Sequence, residues 1–222
     1  MNTRYTRFLT VRRTLLFSAF ATACVPLLQG CFPLVAGGIV AGAVMVTDRR
    51  SSGAYLDDES IEWKTKNLIG KHFGSINHVN VTSYNRYVLL TGEVENENVR
   101  NEVQRLAGTV ANVRAIINEL VVGPPSSVGN RGNDGLITSN VKTRFLNNDK
   151  FSANHVKVIT EANTVFLLGI VTREEGDQAA EVARTSQGVK KVVKVFEYIN
   201  ADEARDFDSR NAPTPGSPPE AP

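Results

Sequence analysis

"HVNVTSYNRYVLLTGEV" (His78–Val94) returns 77 residues later as "HVKVITEANTVFLLGIV" (His155–Val171). The offset superposes Val79 on Val156, Val81 on Val158, Val88 on Val165, Leu90 on Leu167, Gly92 on Gly169 and Val94 on Val171. A repeat of this period means two copies of one supersecondary unit. Within each copy the stretch reads as two alternating strands. A short turn joins them, Tyr84–Arg86 in the first copy and Glu161–Asn163 in the second. Gly92 and Gly169 fall at the end of the second strand, where glycine permits a bend or a positive φ.

Outward from the hairpins, the two copies stay in step. Upstream, "DESIEWKTKNLI" aligns with "DGLITSNVKTRF" at an offset of 76, placing Asp58 on Asp134 and Ile61 on Ile137. Apolar residues at i, i+4 and i+8 predict a helix in each: Ile61, Thr65, Ile69 and Ile137, Val141, Phe145. Downstream a second helix is expected over Glu97–Val110 and Glu174–Gln187. Its stripe is Val99, Val103, Leu106 and Val110 in copy one, and the weaker Ala179, Val182, Ala183 in copy two. Closing strands are expected over Val113–Val122 and Val189–Ile199. The order is αββαβ, twice. This gives an α+β chain of two tandem domains, residues 57–122 and 134–200, each a small three-stranded mixed sheet with two helices. Residues 123–133, with Pro-Pro and Ser-Ser, read as the linker.

The flanks differ from this core. Residues 1–30 carry Arg4, Arg7, Arg12 and Arg13, no acid, and an apolar run from Leu15 to Leu28. That is the layout of an export signal. The run is short for a membrane span, which needs about 20 residues, though an uncleaved anchor is the alternative reading. The only two cysteines, Cys24 and Cys31, lie in or beside it, so the repeats contain no disulfide framework. Leu28-Gln29-Gly30-Cys31 resembles a bacterial lipobox; Cys24 fits less well, since Ala21 stands where leucine is expected. The resemblance implies cleavage before Cys31 and acyl chains on it. A free cysteine in an ordinary signal is the alternative. Residues 31–56 then read as a Gly-rich tether. Residues 201–222 hold acids and five prolines and predict a disordered tail.

The chain offers little for catalysis. Its formal charge is +2, but without the four signal arginines 21 basic face 23 acidic residues, so nucleic acid is not an implied partner. His72, His78 and His155 have no His-x-x-x-His spacing and no thiol partners, so no metal or cofactor is expected from the spacing. His78 and His155 read as structural positions at a strand start. Asp57-Asp58-Glu59 and Asp134 read as helix caps. Trp63 reads as a core or domain contact in preference to an interfacial anchor. The strongest binding signal is the helix expected over Leu136–Asn148. Leu136 and Lys142 lie off its apolar stripe. Basic side chains beside an exposed apolar residue suit a lipid interface; a solvated helix face is the plainer alternative. The second copy is net +1 and the first net −2.

The repeat resembles the BON domain. The matching features are Asp-x-x-Ile before the helix, the Val-x-Val strand, the Val-x-Leu-x-Gly hairpin and the Gly/Asn-Val-x-x-Val/Ile closing strand. A lipobox before two such domains resembles the dual-BON outer-membrane lipoproteins, over roughly Leu27 to Asn200. The resemblance implies a non-catalytic protein at the periplasmic face of the outer membrane, anchored through Cys31. It further implies anionic phospholipid as a partner, bound by the first helix of the second domain. Carried over by position, the lipid-binding candidates are Leu136, Asn140, Lys142, Thr143 and Lys150. Envelope integrity, including at the division site, is the implied role. A periplasmic scaffold that binds an envelope protein is the alternative. Phe32, in place of an aspartate after Cys31, matches outer-membrane sorting.

Overall fold

The computed structural model describes residues 48–74 and 78–211. The expected export signal, Cys31, most of the expected tether and the last part of the expected tail lie outside these residues.

Each repeat folds as αββαβ. In the first, α1 (Ser52–Phe73), β1 (His78–Tyr84), β2 (Tyr87–Val94) and α2 (Glu97–Gly108) precede β3 (Ala115–Asn118) and β4 (Val121–Val122). In the second, α3 (Val128–Leu146), β5 (Val156–Glu161), β6 (Thr164–Val171) and α4 (Arg173–Arg184) precede β7 (Lys191–Tyr198). A last helix, α5 (Ala201–Asn211), follows. β1–β2 and β5–β6 are antiparallel hairpins, and the closing strands run parallel to β2 and β6. The closing strand of the first repeat is interrupted at Glu119-Leu120, where Leu120 turns into the core at 3% exposure. The assigned sheet therefore has four strands instead of the expected three.

The predicted helical stripes are the buried ones: Ile61, Thr65 and Ile69 in α1, and Ile137, Val141 and Phe145 in α3. Both helices start earlier than their stripes suggest. Ser51 and Ser127 are the N-caps, their hydroxyls accepting from the amides of Ala54 and Asn130. The tether reading therefore fails from Asp48 onward, and the linker reading fails from Val128 onward.

Asp58 and Asp134 are not caps. Each sits two turns into its helix and reaches the tip of its own hairpin. Asp58 accepts from the amides of Asn85 and Arg86 at 2.8 and 2.7 Å; Asp134 accepts from Ala162 and Asn163 at 3.0 and 2.8 Å. All four turn residues have positive φ, the type I′ signature, with no glycine among them. Such backbone costs about 1 kcal/mol or more per residue, and the carboxylate offsets it by satisfying both amides.

Gly92 and Gly169 lie inside β2 and β6, not at their ends. A Cβ at Gly92 would stand 2.0 Å from the His78 carbonyl oxygen; at Gly169 it would stand 2.3 Å from that of His155. The glycine lets the strand that opens the hairpin come close. Gly92 alone of the two also has a positive φ, +107°.

β2 and β6 do not alternate in burial. Val88 and Leu90 face the helices of repeat one, and Val165, Leu167 and Val171 those of repeat two. The other faces meet each other: Tyr84 and Leu89 pack with Phe166, Leu168 and Ile170. The two sheets thus share a third core, and both centre strands are apolar on both sides, as strands covered on two faces must be. A polar rim surrounds this core. Lys157 Nζ lies 3.2 Å from Glu62, and Asn85 donates to Glu197 at 2.6 Å.

The expected disordered tail is corrected over residues 201–211, where α5 docks through Ala204 and Phe207. Arg49, 3% exposed, anchors it. The guanidinium meets Glu175 at 2.7 Å, Asp208 at 2.9 Å and the Ile170 carbonyl at 3.0 Å. Burial opposes ionisation of Glu175, but His155, Arg49 and the Thr172 amide outweigh it and hold its carboxyl well below the usual range. Arg49 likewise holds Asp208 low against burial. A sequence scan sees only a prolyl, acidic tail, because the partner of Asp208 lies far upstream in the chain.

Candidate lipid-facing helix and the cleft beside it

α3 turns its stripe of Ile137, Val141 and Phe145 into the second repeat. The opposite side is built from what remains. Leu136 and Leu146 are 71% and 72% exposed, and Val128 is 79% exposed. Thr143 and Lys142 are exposed beside them, and Lys150 follows in the loop after the helix. Asn140 is half-buried, its side-chain amide pointing at the Gln187 carbonyl 3.5 Å away. Of the five candidates, four thus lie on open surface and Asn140 is at the edge.

Two kinds of cation stand on the C-terminal half of α3 and in the loop after it. Arg144 faces the neighbouring helix and donates to the Val182 carbonyl and the Ser186 hydroxyl, both at 2.8 Å, and to Thr185. It closes the C-terminal end of α4, where a cation meets the negative end of the helix dipole. Lys142 and Lys150 make no side-chain ion pair with any described residue. A free lysine beside exposed leucine remains available to an external anion.

Lys142 and Leu146 also border a cleft of about 410 Å³ between α3 and α1. The α1 wall carries Tyr55, Glu59 and Glu62, and Arg50 lies at its base. Arg50 is engaged by Asp48 and Asp58 at 2.6 and 2.9 Å and stacks over Tyr84 and Tyr55. The cleft is therefore acidic on the first repeat's side and basic and apolar on the second's.

Trp63 is not in the core, as its sequence context suggested; it is 67% exposed on the outward side of α1, one heptad from Leu56 at 65%. The signal that could have shown this is the repeat itself, since Trp63 superposes on Ser139, an exposed α3 residue. No described helix is long and apolar enough to cross a membrane.

Comparison with known proteins agrees with this architecture. The BON domain family matches residues 57–124 and again 133–200. Outer membrane lipoprotein DolP of Haemophilus influenzae is 40% identical over 175 residues, spanning 78% of this chain and 91% of that protein. The 21 kDa hemolysin of Actinobacillus pleuropneumoniae is 37% identical over 68% of this chain and 79% of its own length. Osmotically-inducible protein Y of Escherichia coli is 29% identical over 68% of this chain and 78% of its own length.

Proposed function

The chain belongs to the BON-domain family, as a dual-BON protein similar to DolP, and on that premise we propose that it is a non-catalytic, lipid-anchored protein of the outer membrane that binds anionic phospholipid through the outward side of α3. Acyl chains on Cys31 fasten it to the periplasmic leaflet, and its task there is envelope integrity, including at the division site. The observation that carries the reading is the pairing of exposed Leu136 and Leu146 with the free amines of Lys142 and Lys150. Leucine enters the headgroup region while lysine meets phosphate, each basic residue contributing about 1 kcal/mol at an anionic surface. Anchoring supplies the rest: a site held near its membrane needs little intrinsic affinity.

Co-sedimentation of residues 32–222 with vesicles tests this. Binding is expected with anionic phosphatidylglycerol vesicles and not with neutral phosphatidylcholine. Leu136→Glu with Lys142→Glu should abolish it. Binding that survives both substitutions removes α3 as the lipid surface. Mass spectrometry of the mature N-terminus tests Cys31, with an acylated cysteine expected as residue one.

A second reading rests on Trp63 and Leu56. An exposed tryptophan with an exposed leucine on one helix face suits a protein partner, making the first repeat the docking side of an envelope scaffold. Loss of partner capture in Trp63→Ser, with vesicle binding intact, would assign the two helices different tasks.

A further inference from the structure

One group of side chains serves neither the lipid-facing helix nor the Arg49 anchor. His78 opens β1, Glu93 lies near the end of β2, and Glu161 ends β5 of the other repeat. Their ligand atoms, one imidazole nitrogen and two carboxylate oxygens, all lie within 4.8 Å of one another. His78 Nδ1 is 2.9 Å from Glu93 Oε2.

The charge around them does not balance. Glu161 is only 9% exposed, and the Glu93 side chain is 12% exposed. Among the described residues neither carboxylate has a lysine or arginine in ion-pair contact. The partners of Glu161 are neutral: the Asn80 amide at 2.7 Å and the Thr91 hydroxyl at 3.4 Å. Glu93 accepts from the Ser126 amide of the linker at 3.1 Å. The Ser126 hydroxyl next to that amide is buried without a partner. Two secluded carboxylates thus face each other with the His78 imidazole as their one basic neighbour among the described residues, an arrangement that a bound cation stabilises.

We propose that His78, Glu93 and Glu161 bind a divalent transition-metal cation, zinc by preference, that joins the two BON domains. The donor set is one borderline nitrogen and two hard oxygens, and zinc takes both kinds. Bonds of about 2.0–2.1 Å in tetrahedral array place neighbouring donors about 3.3 Å apart. His78 and Glu93 already stand near that spacing, and Glu161 needs only a side-chain adjustment. A fourth position is left for water. Asn80 and Thr91 orient the Glu161 carboxylate from behind, as outer-shell donors do for metal ligands. The consequence is mechanical: β1 and β2 of one repeat and β5 of the other converge on one ion, and the linker is tied to it through the Ser126 amide that donates to Glu93, so the cation closes the edge of the shared core that Leu89 and Leu168 form in its middle. No local spacing could show this, because the three ligands come from three strands of two repeats.

The test uses the full chain in detergent, thiols alkylated and metal removed by chelation. Isothermal titration with zinc should give one site per chain. Glu161→Gln, which keeps the Asn80 contact, and His78→Asn should each weaken it at least tenfold. Zinc at a hundredfold excess over its dissociation constant should raise Tm by roughly 5 °C in the parent chain and leave Glu161→Gln unmoved. Circular dichroism of both variants should match the parent, so that lost binding is not lost folding. Absence of a saturable site, or equal affinity in Glu161→Gln, overturns the proposal.

Discussion

The two repeats share the contacts that fold their helix and hairpin and differ on the helix faces they turn outward. Both use an aspartate from the first helix to hold the hairpin tip, and both need a glycine where the hairpin strands come close. Both bury the same helical stripe. Their outward helix faces diverge: α1 exposes Trp63 and Leu56, whereas α3 exposes Leu136 and Leu146 with the free amine of Lys142 on the helix and that of Lys150 in the loop after it. Duplicated positions therefore mark folding requirements, and positions that differ between copies mark where function can differ.

The sharpest way to break the likeness is at the paired glycines. Gly92→Ala sets a Cβ against a backbone oxygen at 2.0 Å in a positive-φ conformation. Neither neighbour can move cheaply, so the first repeat should fail to fold as one unit, visible as lost cooperativity in thermal unfolding. Gly169→Ala carries the clash without the φ penalty and should be the milder of the two.

The paired aspartates come next. Asp58 holds two turn amides, the Ser83 hydroxyl at 2.6 Å and Arg50 at 2.9 Å. Asp134 holds two turn amides alone. Asp58→Ala removes one of the two carboxylates on Arg50, which keeps Asp48, together with the acceptor of the turn amides and of Ser83, and should cost more than Asp134→Ala, which should cost about 1–3 kcal/mol. Urea denaturation of both variants measures the gap, and equal losses would show that Arg50 contributes nothing.

On the faces that differ, stability should barely change. Leu136→Glu with Lys142→Glu should lower binding to anionic vesicles by at least about tenfold, while Trp63→Ser leaves it unaltered. Vesicle titration of the three proteins decides whether the repeats have separate roles.

The smallest effect concerns α5, which only the second repeat possesses. Glu175 and Asp208 have depressed folded-state pKa values, so the stability they contribute is present above their ordinary values, 4.5 and 3.8, and is lost as pH falls through the depressed ones. Hydrogen exchange of the α5 amides should accelerate as pH drops below about 4, after correction for intrinsic rates. Asp208→Asn should produce part of that release at neutral pH, about 0.5–1 kcal/mol, because Asp208 is half-exposed.

The internal repeat by itself determined most of the architecture. Hydrophobic spacing reports which side of a local element is covered, so both αββαβ orders, the helical stripes and the hairpins were legible, and so was the outward placement of Leu136 and Lys142. Spacing is silent about what does the covering. The apolar runs of β2 and β6 look like strands of a one-faced sheet until the two sheets are seen to pack on each other. Asp58 and Asp134 look like caps because their real partners, the hairpin amides, lie more than twenty residues away. Arg49 and α5 fall in stretches that look like tether and tail, and only a buried ion pair spanning 159 positions in the chain makes them structure. The meeting of His78, Glu93 and Glu161 belongs to the same class. Local periodicity fixed the elements; contacts between residues distant in sequence decided which polar side chains meet, because those depend on how the finished layers stack.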